Sequence, residues 1–288
     1  MSRFKDKLVS LFKSLSPADH VAALLLILTT IHSVDVTLQQ GWKSGIKVFS
    51  GAIFLVALAL LLFWPLKQWL SRRKKPVHVV ISALMLFLVL NHSGHQVLTV
   101  VLLFTGLFWA KFGLKVKGKM LFNPVAFSIA FVTVLSILFP VVKDPGLEWT
   151  GILAKFQWFG IWIPLPLLFL TLSIFTNARR VKRIPLALSY ILVVLSLQLL
   201  LGGIKTLTAV LPAALFMGAL VVLEPKTSPV RTRQQILYGV VSGSLFMLFL
   251  TLSVPSAAMM ALCVSNLGYW LCRIWGTKPR AKMSPSPA

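Results

Sequence analysis

The sequence predicts an all-α fold, a polytopic membrane bundle of about ten transmembrane helices, on three observations. Hydrophobic residues make up 57% of the 288 and charged residues only 12%, whereas a soluble domain carries roughly 45–50% and about 25%. A water-soluble enzyme is thereby excluded before any motif is read, and so is a disordered chain, which apolar content this high would collapse. Second, the apolar residues gather in ten segments close to the roughly 20 residues that a spanning helix needs. Third, the 29 Lys and Arg, against 6 Asp and Glu, alternate between the connections of those segments as the positive-inside rule requires. The net charge of +23 is therefore read as an orientation signal and not as the footprint of a nucleic-acid partner.

Residues 1–16 alternate Arg3, Lys5, Lys7 and Lys13 with Phe4, Leu8, Leu11 and Phe12, an amphipathic stretch suited to the inner leaflet. No cleavable signal peptide is evident. The N-terminal region 1–19 leads into spans at 20–39, 47–66, 77–92, 94–112, 122–142, 157–176, 184–201, 206–223, 236–254 and 257–275, and a basic Pro/Ser tail follows at 276–288. The third span is short, and with the fourth it can form a tight hairpin around Asn91-His92-Ser93-Gly94-His95. Asn123-Pro124 supplies the N-cap and first-turn proline that start the fifth. Gly202-Gly203 separates the seventh from the eighth, and Pro225 and Pro229 hold a stiff, non-helical turn before the ninth.

With the N-terminus inside, successive inner segments hold four, five, four, four, three and four basic residues, while the outer loops hold only Lys43, Lys47, Lys143, Lys155 and Lys205. Both termini are therefore expected in the cytoplasm of a multi-pass protein of the cytoplasmic membrane. Trp42, Trp64, Trp69, Trp149, Trp158, Trp270 and Trp275 fall near span ends, as an aromatic belt does. Five spans per half would put the halves in opposite orientation, so parity admits a 5+5 inverted repeat, although no repeat is visible in the sequence itself.

Several residues are candidates for chemistry. Lys111, Lys115, Lys117 and Lys119 precede Asn123-Pro124, whose helix N-terminus offers free N–H groups and a positive dipole end to an anion. The plainer reading is a helix cap beside positive-inside lysines. Glu224 closes an apolar run, and an acid at a bilayer edge is paired or functional. Thr227 and Ser228 add hydroxyls to the same turn. His32 and Asp35 share a face of the first span and, with Lys205, could line a proton, ion or substrate path. Their plainer reading is polar groups near the outer interface. Cys263 and Cys272 read as inert membrane thiols, and no Cys/His cluster suggests a metal. Hydrolase and nucleotide motifs (G-x-S-x-G, H-E-x-x-H, Walker loop, G-x-G-x-x-G) are absent.

Phe122-Asn123-Pro124 after a basic loop resembles the F-N-P motif of the RnfD/NqrB family. Glu224-Pro225-Lys226-Thr227-Ser228-Pro229 followed by Tyr238-Gly239 resembles that family's [T/E]-[D/E]-P-x-T-[S/A]-P turn, and the last span, with Asn266, is similar to its final helix. The wording is closest to short RnfD-like proteins of the UnbU type, and the resemblance covers about 77–275. It implies an integral subunit that moves electrons across or along the membrane using flavin, FMN or riboflavin. The implied partners are the lipid membrane and other electron-transfer subunits or an extracytoplasmic flavoprotein. It also implies that Lys119, Phe122, Asn123, Pro124, Glu224, Thr227 and Ser228 lie near the cofactor. Larger members attach FMN through an S-G-A-T threonine between spans five and six. Here that loop is 143–151 and lacks the motif. Thr150 is a hydroxyl in the matching loop with unmatched surroundings, so the flavin is expected to be non-covalent. A small-solute transporter or channel, and a non-catalytic assembly scaffold, are the competing readings, because fold does not fix function.

Overall fold

The computed structural model describes residues 16–70, 76–90, 97–116, 118–147, 149, 156–158 and 161–275. Among these residues the chain forms ten helical segments and two small β-ribbons. Helix α1 (Pro17–Gln40) begins at a capping box: Asp19 N–H donates to Ser16 Oγ at 3.3 Å and Ser16 N–H donates to Asp19 Oδ2 at 3.1 Å. It is followed by α2 (Trp42–Leu70), α3 (Val77–Val89) and α4 (Val97–Phe108), the last running into a π turn, Trp109–Gly113. Strands β1 (Lys115–Val116) and β2 (Lys119–Met120) then make a short antiparallel ribbon before α5 (Pro124–Leu138).

Strands β3 (Phe156–Trp158) and β4 (Ile161–Ile163) pair next, and α6 (Leu165–Ser173) ends in a second π turn, Ile174–Ala178. Helices α7 (Ile184–Gly203) and α8 (Thr206–Val221) form a hairpin about Gly203. Gly203 takes φ 71° and ψ −177°, a backbone state that glycine reaches readily and other residues do not. The fold-back is tight enough that a Cβ on Gly218 would lie 2.5 Å from Ile191 Cγ1. Helix α8 finishes in a third π turn, Met217–Val221, and α9 (Thr232–Thr251) and α10 (Ala257–Trp275) complete the chain.

Five of these helices, α1, α2, α7, α9 and α10, are long and apolar enough to cross a membrane; the other five are shorter apolar helices. The chain is therefore an all-α bundle whose apolar helices associate it with lipid. Two expectations change. The segment expected to begin a helix at 157 is instead the β3–β4 ribbon, and the helix starts after Pro164. Phe156, Trp158, Ile161, Trp162 and Ile163 are aromatic or β-branched residues that favour strands, and Pro disfavours the helical state in the residue before it. The fifth span also stops at Leu138, four residues early, because Phe139 turns extended (φ −130°, ψ 103°) ahead of Pro140.

The short helices hold the centre. Every residue of α3 from Ser82 to Val89 is buried, as is every residue of α8 from Pro212 to Val221. Beyond α3, Leu90 bridges Leu147, and Trp149 N–H reaches the Val89 carbonyl at 3.4 Å while its ring packs edge-on to the buried Phe216 at 5.7 Å. Helix α1 packs on α2 and α3, and α6 packs on the α7–α8 hairpin. Likewise α4 pairs with α5, α9 pairs with α10, and α5 meets α10 between the two sets. Helix α9 lies against α7 through Gly239 and Gly243, where added Cβ atoms would come within 2.8 Å of the Leu186 carbonyl and 3.1 Å of the Tyr190 carbonyl. Small residues four apart permit that close approach.

Candidate functional site

The basic connections converge at one end of the bundle. Asn123 is the N-cap of α5 and is almost fully buried. Its Oδ1 accepts from Val125 and Ala126 N–H at 3.0 and 3.2 Å, while its Nδ2 donates to the Val221 carbonyl at 3.0 Å. One side chain thus starts α5 and fastens it to the π turn of α8. Phe127 N–H bonds the Asn123 carbonyl and Pro124 has no N–H, so the first-turn donors expected to meet an anion are satisfied within the protein. Phe122 stacks on Phe127 at 5.1 Å, in a run that continues to Phe131 with Trp109 against its edge. It is a packing residue.

The turn after α8 is closed on itself and clamped from α7. The Glu224 carbonyl accepts from the N–H groups of Thr227 and Ser228, both at 3.2 Å, and from Ser228 Oγ at 2.8 Å. Arg183, only 5% exposed, donates through Nε to Ser228 Oγ at 2.7 Å and through its terminal nitrogens to the carbonyls of Pro225, Ser228 and Val181 at 3.1–3.3 Å. Gln235 adds bonds to the Lys182 and Val230 carbonyls. Burial pushes the Glu224 carboxyl above its usual range, against the pull of Lys111, Lys226 and Arg183. Burial likewise draws the Arg183 guanidinium down, with Tyr269 and Glu224 opposing. Lys111, one of the four lysines expected to face an anion or to orient the chain, is buried, and its Nζ donates to the His78 carbonyl at 2.8 Å, holding the start of α3.

Beside this floor lies open space. Lys119, Lys226, Thr227, Asn266, Tyr269 and Arg273 line a pocket of about 150 Å³. Asn266 is 1% exposed; its Oδ1 accepts from Tyr238 OH at 2.5 Å, but its Nδ2 has no acceptor among the described residues. The pocket adjoins a groove of about 810 Å³ between α9 and α10, with which it shares Lys119, Lys226, Tyr269 and Arg273. Of the residues expected near a cofactor, then, Lys119, Thr227 and Ser228 border open space, while Phe122, Asn123, Pro124 and Glu224 build its support.

At the opposite end His32 and Asp35 are both buried, and Asp35 Oδ1 accepts from Gln39 Nε2 at 3.0 Å. His32 lines a second cavity, about 780 Å³, with Gln40, Ser44, Lys47, Phe54 and Phe87. Thr150 and the His92–His95 turn fall outside the described residues, as do residues 1–15, the tail and the Lys205 side chain. No group of three or more metal-ligating side chains occurs among the described residues. Arg183, Arg231 and Arg273 gave no separate signal in the sequence because each sits within a basic connection whose charge orientation already explains. Compared with known proteins, the chain matches no family model and no curated protein.

Proposed function

We propose that this protein is the membrane-embedded subunit of a flavin-dependent electron-transfer system, similar to the short RnfD/NqrB-like proteins. The observation that carries the reading is the bond between its two family-like turns. Asn123 of the F-N-P turn donates at 3.0 Å to Val221, three residues ahead of the E-P-K-T-S-P turn and 98 residues away in the chain. Two motifs that resemble one family in order also share one structural floor.

Ten crossings, with both termini in the cytoplasm, fit the way helix ends alternate between the two ends of the bundle. A 5+5 inverted repeat fits the short, buried third helix of each half, α3 and α8, and the pairing of α5 with α10.

A flavin-sized ligand needs a pocket of roughly 300–1,000 Å³. The 780 Å³ cavity meets that need and offers Phe54 and Phe87 to a ring system and Gln40, Ser44 and His32 to its polar edge. Lys47 adds a positive charge, which favours the reduced, anionic form of a bound isoalloxazine. The flavin supplies the electron chemistry; the chain holds it, excludes water and sets its charge. Partner subunits would supply and receive the electrons.

The test is the absorbance spectrum of detergent-purified protein before and after acid precipitation. Flavin bands released to the supernatant, and lost in Lys47→Ala, are expected. A helical protein that takes up neither added FMN nor added riboflavin overturns the reading. It would favour the second one, a small-solute transporter with His32 lining its vestibule, which solute flux into vesicles would then establish.

A further inference from the structure

We propose that the α9–α10 groove binds an anionic membrane phospholipid, its phosphate in the basic pocket and an acyl chain along the groove. The site is independent of the flavin reading and uses different residues. Four cations, Lys119, Lys226, Arg231 and Arg273, rim the groove, and none of its described lining residues is acidic. Three of these cations, Lys119, Lys226 and Arg273, also bound the small pocket, which Asn266 lines with them. That asparagine's buried Nδ2 is a donor without an acceptor among the described residues, and a buried donor left unmatched is destabilising unless something supplies its acceptor. A phosphate oxygen does so, and the cations balance its charge.

Below the rim the lining turns apolar. Leu237, Val241 and Leu245 on α9 face Val264 and Gly268 on α10. Leu237 is 64% exposed, Val241 42% and Val264 44%, so this wall faces out of the bundle. From Arg231 to Leu245 a helix rises about 21 Å, close to one leaflet of a roughly 30 Å hydrocarbon core plus its headgroup zone. Gly268 opens the groove midway, for a Cβ built there meets nothing within 4 Å. A cationic head above an apolar channel one leaflet deep is complementary to an acidic lipid. It is not complementary to the chain's own remaining ends, since residues 1–15 carry four cations against one acid and residues 276–288 carry three cations and no acid.

The experiment uses the full chain in mild detergent and reads quenching of tryptophan fluorescence, to which Trp270 beside the pocket contributes. The probe lipids are phosphatidylglycerol and phosphatidylcholine carrying the same brominated acyl chains, with inorganic phosphate and FMN as competitors. Phosphatidylglycerol should bind at least tenfold more tightly than phosphatidylcholine. Lys226→Gln with Arg273→Gln should bring that preference below threefold. Gly268→Phe, whose Cβ enters open space and which adds no tryptophan to the readout, should weaken lipid binding tenfold while leaving competition by phosphate unchanged. The control is Arg179→Gln with Arg233→Gln, two exposed cations outside the groove.

Equal loss of preference in that control means diffuse surface charge and overturns the proposal. So does an unaltered affinity in Gly268→Phe, or displacement of the lipid by FMN at lower concentration than by phosphate, which would give the pocket to a nucleotide. Each variant is compared at a temperature well below its own lipid-free melting point, so that loss of fold is not read as loss of binding.

Discussion

Replacing Arg183 by Ala tests how the basic end is held together. The guanidinium satisfies Ser228 Oγ and three carbonyls at 2.7–3.3 Å, and it is one of three cations opposing the buried Glu224. Removing it leaves those acceptors without a donor, each worth about 1–3 kcal/mol when buried, and strips a partly compensated carboxylate of a partner. Water entering the vacated space returns part of that, so about 3 kcal/mol is expected.

For chains of 150–250 residues each kcal/mol lowers the melting temperature by about 2–4 °C, and a longer chain shifts slightly less. Arg183→Ala should therefore melt roughly 6–10 °C below the parent in the same detergent, followed by tryptophan fluorescence. Arg183→Lys keeps the charge but not the planar fork and should recover about half the loss. A melting temperature for Arg183→Ala within about 2 °C of the parent would refute the clamp.

Other perturbations follow from the same contacts. Because Glu224 has a raised pKa in the folded state, the native protein holds that proton at pH values where the unfolded chain has released it. Stability is then greatest below the unfolded value and falls as pH rises through the folded one. Glu224→Gln should melt above the parent at pH 7–8, with the gap closing as pH falls toward about 4.5; a gap independent of pH would count against this. Gly239→Ala forces a Cβ to 2.8 Å from the Leu186 carbonyl and 3.0 Å from Tyr190 N, and overpacking of this kind costs about 1–3 kcal/mol, whereas Gly268→Ala should leave the melting temperature unchanged or higher. Asn123→Ala loses the α5 cap and the link to Val221 together, about 2 kcal/mol in all, measurable in the same melts.

The ten helical segments were legible because each is an apolar run punctuated by Gly, Pro or basic residues, and lipid makes that pattern nearly obligatory. Asn123-Pro124 as a helix start was legible for the same reason, since capping is local. Which of its groups would remain free was not, because the partner of Nδ2 is the carbonyl of Val221, on another helix. Arg183 looks in the sequence like any other positive-inside residue and Lys111 like one lysine of a basic loop, and only the packing of α3 and of the Glu224 turn shows that they are buried. The 156–163 ribbon was read as helix because its apolar residues carry no period that separates a short strand from a helix end.

The brevity of α3 and α8 bears on how the protein is made. The thirteen residues of α3 rise only about 20 Å and the sixteen of α8 about 24 Å, too little to bridge a hydrocarbon layer of roughly 30 Å. Each of these helices is enclosed by neighbours rather than bathed in lipid. During synthesis the long helices, α1, α2, α7, α9 and α10, can enter the bilayer on their own hydrophobicity. The short ones acquire a stable place only when those walls surround them. Trp149, in the connection that follows α5, bonds the end of α3 in the first half and rests on Phe216 of α8 in the second. The last part of the core is therefore set only after the ribosome has delivered both halves, and a chain cut between α5 and α6 would reach the membrane without being able to finish its interior.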